Sequence, residues 1–276
     1  MKKSMKNCIF LSFDDIFFKY AKVCLNSLKR NYPDHPMVLV YYEGSDSQVF
    51  SFINDLEKVD LLDIAYPSEK FKNLNLGVIG SIMTYSRFLL WEEYFNRFDT
   101  IVYLDCDTVI LKPFPELFKH NHLFAVSDFS NTKAFNTELD TYDLKKLTLE
   151  DGIDLGQINM INAGVLAIPK SYRKKEHFSQ IWSLTKRYNK YANHSDQSIL
   201  TLWILLNKMP ISNECKYNFQ IGFITRSMFN EINVKDIKIL HYAFWKPEKN
   251  IDFLKEKILL ANKFINNAIL EFERFS

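Results

Sequence analysis

The chain has 276 residues, with 35 Lys+Arg against 33 Asp+Glu for a formal net charge of +2, and 47% of its residues are hydrophobic. At about 150 residues per domain this length allows one large domain or two small ones and buries roughly three quarters of the unfolded surface, which excludes a disordered chain. Near-neutral charge, with no block of five like charges, excludes a protein that grips a phosphate polymer by bulk electrostatics, so no nucleic-acid partner is expected.

The basic N-terminus meets an apolar run, Cys8 to Phe13, that Asp14 and Asp15 cut short of a signal-peptide core. It reads as a buried strand. Phe17, Ala21, Cys24, Leu25 and Leu28 then recur at helical spacing until Pro33 ends the pattern. Met37 to Tyr42 predicts a second buried strand, Gln48 to Leu56 a short helix, and Leu61 to Ala65 a third strand. A helix from Ser81 to Phe95 leads into a fourth strand, Ile101 to Leu104. Strands alternating with helices imply right-handed crossovers and a parallel sheet covered on both faces.

Further on, Leu123 to Val126 and Asn162 to Ile168 read as strands, Tyr172 to Tyr188 and Asp196 to Leu206 as helices, and Ile237 to Leu240 as a last short strand. The polar segment Asn131 to Leu155 is long for a passive connection and predicts a lid or acceptor-selecting loop. The stretch 251–276 carries Ile251, Leu254, Ile258, Ala261, Ile265, Ile269 and Phe272 at helical spacing, which predicts an amphipathic helix docked on a domain spanning 1–250. No apolar stretch reaches the ~18 residues that would span a bilayer. Cys8, Cys24, Cys106 and Cys215 lie far apart with no C-x-x-C pair, so a reduced, cytoplasmic setting is expected.

The chemistry concentrates after the fourth strand. Asp105-Cys106-Asp107 closes that strand, and in extended backbone residues i and i+2 project to one side. Two carboxylates at the carboxyl end of a strand suit a hard divalent cation, Mg²⁺ or Mn²⁺. The alternative is a solvated turn. His241, at the end of a strand, and Lys246-Pro247 read alone as a capped histidine and a surface lysine; joined to the carboxylates they supply an imidazole ligand and a phosphate contact. Asn162-Ala-Gly-Val165 reads as a turn into a strand. Ser195-Asp196-Gln197 reads as a helix cap, as do Asp14-Asp15.

The ordered set Thr84-Tyr-Ser-Arg87, Val102-Tyr-Leu-Asp-Cys-Asp-Thr108, Ile161-Asn-Ala-Gly-Val-Leu166, Asp196-Gln197 and His241-Tyr with Lys246-Pro247 resembles glycosyltransferase family 8. That family includes bacterial lipooligosaccharide galactosyl- and glucosyltransferases and the glycogenins. The resemblance implies a GT-A fold: an α/β, Rossmann-like nucleotide-sugar-binding domain with a mixed, largely parallel sheet flanked by helices. It also implies a metal-dependent retaining hexosyltransferase using a UDP-hexose donor and a saccharide or glycolipid acceptor, with peripheral contact at the inner membrane face where the acceptor is a glycolipid. Carried over by residue, Asp105, Asp107 and His241 are similar to the metal ligands and Lys246 to the phosphate contact. Asp14 resembles the uracil partner, Phe17 the ring stacked on the base, and Arg87, Asp128, Asn162 and Asp196 the donor-sugar contacts. Gln197 lies where the family holds an amide beneath the reacting carbon.

Retention leaves two routes open: double displacement with Asp196 or Gln197 as nucleophile, or front-face transfer with Gln197 stabilising positive charge. Two other functions compete. A nucleotidyltransferase would prefer a glycine-rich loop after the first strand, and Cys8 to Asp15 contains no glycine. A non-catalytic sugar-nucleotide or glycan-binding protein would fit the departures from the family pattern: His241-Tyr-Ala-Phe-Trp-Lys246-Pro-Glu248 lacks the usual glycine and final Trp, and Ile16 stands where relatives often carry a polar residue.

Overall fold

The computed structural model describes residues 7–63, 71–77, 81–129, 148–153, 160–192, 194–221 and 234–243. Lys246, the segment 251–276 and most of the loop Asn131 to Leu155 lie outside the described residues.

β1 (Asn7–Asp14) pairs in parallel with β2 (Met37–Glu43) and with β4 (Thr100–Leu104), and β2 pairs with β3 (Val59–Leu61). β7 (Ile161–Pro169) runs antiparallel to both β4 and β6 (Phe124–Ser127), giving a mixed six-stranded sheet in the order β3-β2-β1-β4-β7-β6. The short β5 (Thr108–Ile110), β9 (Ile239–His241) and β8 (Phe219–Gln220) form a second, three-stranded sheet. The fold is therefore α/β with a mixed sheet, as its sequence implies.

Alternation along the central strands creates two cores. Ile9, Leu11, Phe13, Val102 and Leu104 face one cluster with α1 (Phe18–Asn31), α2 (Ser47–Asn54) and the small sheet. Cys8, Phe10, Ile101 and Tyr103 face the other, built with the segment 82–97, α3 (Lys175–Tyr188) and α4 (Ser195–Leu206). Successive side chains of a strand point to opposite faces, so a strand buried on both sides reads as an unbroken apolar run. Residues 195–204 of α4 are all buried, which explains why its sequence has no polar face. Among the described residues no helix is long and apolar enough to cross a membrane.

Four elements differ from expectation. The third strand ends at Leu61 instead of beginning there: Lys58 turns with φ 59, and the register Val38↔Val59 and Val40↔Leu61 then uses the residues straight after it. The predicted helix from Ser81 is two 3-10 segments, Ile82–Trp91 and Glu93–Arg97. Residues 85–91 are all buried there, so packing on every side overrides the looser α repeat. The last strand sits two residues later than its apolar run because Val234–Asp236 forms a 3-10 turn. α3 begins at Lys175 because a separate 3-10 turn, Lys170–Tyr172, follows β7.

Candidate active site

The chain leaves the large sheet at Leu104 and joins the small one at Thr108, and Asp105-Cys106-Asp107 is the connection. It is a turn and not extended strand: Thr108 N–H donates to the Asp105 carbonyl at 3.2 Å, and the Thr108 hydroxyl donates to the same oxygen at 2.8 Å. The carboxylates converge because the chain reverses, not because strand residues alternate. Each end of the turn is tied to a different sheet. Asp105 N–H donates to Gly164 O of β7 at 2.7 Å, and Tyr242 N–H donates to Asp107 O at 3.0 Å. Cys106 is buried in the core. Cys24, its thiol pushed up to about 12 by burial, lies 3.3 Å from the Thr108 hydroxyl behind the turn.

Arg87 lies on the buried 3-10 segment and joins two carboxylates that are distant in sequence. Its Nη2 donates to Asp105 Oδ1 at 2.5 Å, and its Nη1 reaches Asp196 Oδ1 at 2.8 Å and Oδ2 at 2.7 Å. The guanidinium also stacks over Tyr103, 4.7 Å from the ring centroid, and the Tyr103 hydroxyl donates to Asp105 Oδ1 at 2.7 Å. Burial holds Tyr103 well above the usual phenol range, so it remains a neutral donor. Asp196 is 0% exposed in the first turn of α4. Burial raises its carboxyl from 3.8 to about 6 while Arg87 pulls it back.

Register brings in the histidine. His241 pairs with Thr108 across β5 and β9, which sets its Nε2 3.3 Å from Asp107 Oδ1 and 3.7 Å from Asp105 Oδ2. Its Nδ1 contacts Asn218 Oδ1 at 2.9 Å. Asn218 in turn donates to Asn162 Oδ1 at 2.9 Å, and Asn162 donates to Asp128 Oδ2 at 3.2 Å. The imidazole lies against Gly164: a Cβ there would stand 2.1 Å from His241 Cε1. Glycine is required at this position by space, since no real Cβ approaches so closely.

Gln197 Oε1 accepts the Ala163 N–H at 2.9 Å, and its Nε2 lies 3.6 Å from Met160 Sδ, so its amide sits at the carboxyl edge beside β7. Ser195, just before Asp196, holds φ 49, an unusual backbone for a non-glycine residue, and donates its hydroxyl to Leu76 O at 2.5 Å. Together these bonds fix the start of α4.

The ligand atoms of Asp105, Asp107 and His241 all lie within 4.8 Å of one another. Two carboxylate oxygens and an imidazole nitrogen suit a divalent ion of the Mg²⁺ or Mn²⁺ kind, with imidazole favouring the latter. Charge argues the same way, because the Arg87 guanidinium is already shared between Asp105 and Asp196, and the buried Asp107 adds a further carboxylate beside Asp105. An excess of buried negative charge is costly unless a cation joins it.

Seven of the sequence-predicted residues are thus brought into one bonded constellation: Arg87, Asp105, Asp107, Asp128, Asn162, Asp196 and His241. Gln197 adjoins it through β7. Asp14 and Phe17 lie apart at the end of β1, where Asp14 Oδ1 accepts the Phe17 N–H at 3.1 Å as an ordinary cap. Phe17 packs beside Tyr20 with ring centroids 5.6 Å apart. Sequence reasoning missed Asn218 and Tyr103. Nothing in the spacing around Asn218 marks it; Tyr103 sits two residues before Asp105, where strand alternation puts both on one face.

The model of glycosyl transferase family 8 matches residues 8–250, so the chain belongs to that family. No curated protein matches the chain. Among solved structures it is similar to the galactosyltransferase LgtC in complex with donor and acceptor sugar analogs, at 20% identity and TM-score 0.65, covering 92% of this chain and 95% of that one. It also resembles the bifunctional glycosyltransferase WbbM, at 19% identity and TM-score 0.67, covering 99% of this chain and 52% of that one. The glycosyltransferase GlyE of Streptococcus pneumoniae TIGR4 is similar at 20% identity and TM-score 0.61, with 98% and 64% covered. These likenesses establish the fold; family membership makes the chain a glycosyltransferase.

Proposed function

We propose that this glycosyltransferase moves a hexose, galactose or glucose, from a UDP-sugar to a saccharide or glycolipid acceptor with retention at the anomeric carbon. The observation that carries the reading is the convergence of Asp105, Asp107 and His241 beside the buried Arg87–Asp196 pair. When bound there, a divalent ion (Mn²⁺ or Mg²⁺) neutralises the charge that grows on the diphosphate leaving group. The LgtC structure, solved with donor and acceptor sugar analogs, supports a two-substrate site on this fold. A glycolipid acceptor would bring the protein to the inner membrane face as a peripheral enzyme.

The chain's own residues have distinct tasks in this reading. Arg87 holds Asp105 and Asp196 in place through its two terminal nitrogens. Asp128 and Asn162 border the sugar, Phe17 offers its half-buried ring to the base, and Asp14 the uracil edge. Lys246 meets the phosphates. The front-face route is favoured over double displacement by two observations. Asp196 is 0% exposed and held by Arg87 through both oxygens, and the amide oxygen of Gln197 turns to a backbone N–H, so neither side chain is presented as a nucleophile. Gln197 then serves by directing its amide dipole at developing positive charge.

Thermal shift with UDP, GDP and CMP, each with and without Mn²⁺, tests the reading. Manganese-dependent stabilisation by UDP that disappears in Asp107→Asn is expected; no response to UDP in either form overturns it.

A further inference from the structure

Obligate donors and acceptors fix the orientation of every amide beneath His241. The Asn162 backbone carbonyl, which can only accept, lies 3.3 Å from one terminal atom of Asn218; that atom must be the amide nitrogen. The Gly164 backbone N–H, which can only donate, lies 3.0 Å from the Asn162 side chain, so the atom it meets must be the amide oxygen. The same oxygen receives the second donation from Asn218 at 2.9 Å. Asn218 therefore turns its own oxygen toward His241 Nδ1, 2.9 Å away, and that contact is a hydrogen bond only if Nδ1 carries a proton.

A neutral imidazole protonated on Nδ1 bears its lone pair on Nε2. That nitrogen is the one facing Asp107 Oδ1 and Asp105 Oδ2. We infer that Asn218, anchored by Asn162, is a positioning residue that selects the Nδ1–H tautomer of His241 and so presents Nε2 to a cation. Asn218 is 0% exposed and Asn162 5%, so neither carries this arrangement through solvent. Gly164 contributes by its missing Cβ, which would otherwise stand 2.1 Å from His241 Cε1 and displace the ring. Partners of this kind, behind a metal-binding histidine, are worth about 10–100-fold in metal affinity.

Asn162 thereby gains a task beyond its expected contact with the donor sugar. Its oxygen is fully engaged by Gly164 and Asn218, and its nitrogen donates to Asp128 Oδ2 at 3.2 Å. A bonded chain thus runs Asp128, Asn162, Asn218, His241.

The inference rests on the metal reading for its consequence, but its geometry stands apart from it, and the experiment separates the two. Nitrogen-15 NMR of the metal-free full chain, with His241 assigned by comparison with His241→Gln, reports the tautomer directly. Read at a pH where the ring is neutral, a protonated Nδ1 with a bare Nε2 is expected; a protonated Nε2 with a bare Nδ1 overturns the inference without recourse to any variant. Mn²⁺ titration with and without UDP then compares Asn218→Leu, which removes both functions of the amide at similar volume, with Asn218→Asp, which restores the acceptor for Nδ1–H. Asn218→Leu should weaken Mn²⁺ binding about 10–100-fold and Asn218→Asp, which keeps the acceptor but loses the donation to Asn162, should recover part of it. Equal affinity for all three proteins overturns the inference. Absence of Mn²⁺ binding by the unaltered protein, with the Nδ1–H tautomer intact, instead counts against the metal reading alone.

Discussion

The carboxyl edge of the large sheet has two dissimilar halves. At the end of β1, Asp14 is half-buried and occupied in capping, Phe17 is partly exposed, and Ile16 is 75% exposed. Where β4, β7 and β9 meet, Arg87, Asp107, Asp128, Asn162, Asp196, Asn218 and His241 are all buried and most are linked side chain to side chain. The first half is a surface that a ligand can complete. The second is assembled before any ligand arrives, which is the condition for electrostatic catalysis without reorganisation. Substitutions in the two halves should therefore separate folding and metal affinity from nucleotide affinity.

The largest effect is expected from Arg87→Met, which leaves Asp105 and Asp196 without their shared cation. Breaking a buried pair in this way costs about 3–5 kcal/mol, measurable by urea unfolding of the metal-free protein. A cost below 1 kcal/mol by that measurement, on the same scale of effects, would show that the buried half is not preassembled. Gly164→Ala should come next. Overpacking against His241 costs about 1–3 kcal/mol, and displacement of the ring should cut Mn²⁺ affinity further than loss of any supporting residue, seen by calorimetry.

Asp196 supplies a pH test. Its folded carboxyl is raised from 3.8 to about 6, so the folded state holds the proton more tightly than the unfolded chain. The stabilising contribution is fully present below pH 3.8 and is lost as pH rises through about 6. The slope is at most about 1.4 kcal/mol per pH unit. Asp196→Asn should flatten the curve in that window, in unfolding experiments between pH 4 and pH 7. The smallest effect on stability belongs to the other half. Phe17→Ala should lower UDP affinity by about 1–3 kcal/mol, the worth of one base on an aromatic ring, while Mn²⁺ affinity stays unchanged. Equal loss of both affinities would erase the distinction between the halves.

Much of the architecture is legible because long buried strands announce themselves. β1, β2, β4 and β7 appear as unbroken apolar runs, and α1 as a clean helical repeat. Of the small sheet only β9 leaves a trace, in the run Ile237 to Leu240, since its strands hold three, three and two residues and nothing of that length has a period. The same limit applies within the site. Asp105 and Asp107 stand out by adjacency, and five motif blocks in order identify the family. The contact of Arg87 with Asp196 spans 109 positions, and that of Asn218 with Asn162 spans 56. Only the folded chain reveals such pairs, because asparagines within a connection carry no signature of what they will meet.

The departure of the chain from one sheet to the other at Asp105-Cys106-Asp107 has a mechanical consequence. Asp105 is moored to the large sheet through Gly164, while Asp107 and His241 are moored to the small one through Tyr242 and the β5–β9 ladder. A cation held by all three would act as a rivet across the seam, stiffening the joint when present and letting the sheets shear when it leaves. Slower hydrogen exchange at Thr108, His241 and Tyr242 on adding Mn²⁺, with β1 and β2 unaffected, is the mark of such a joint.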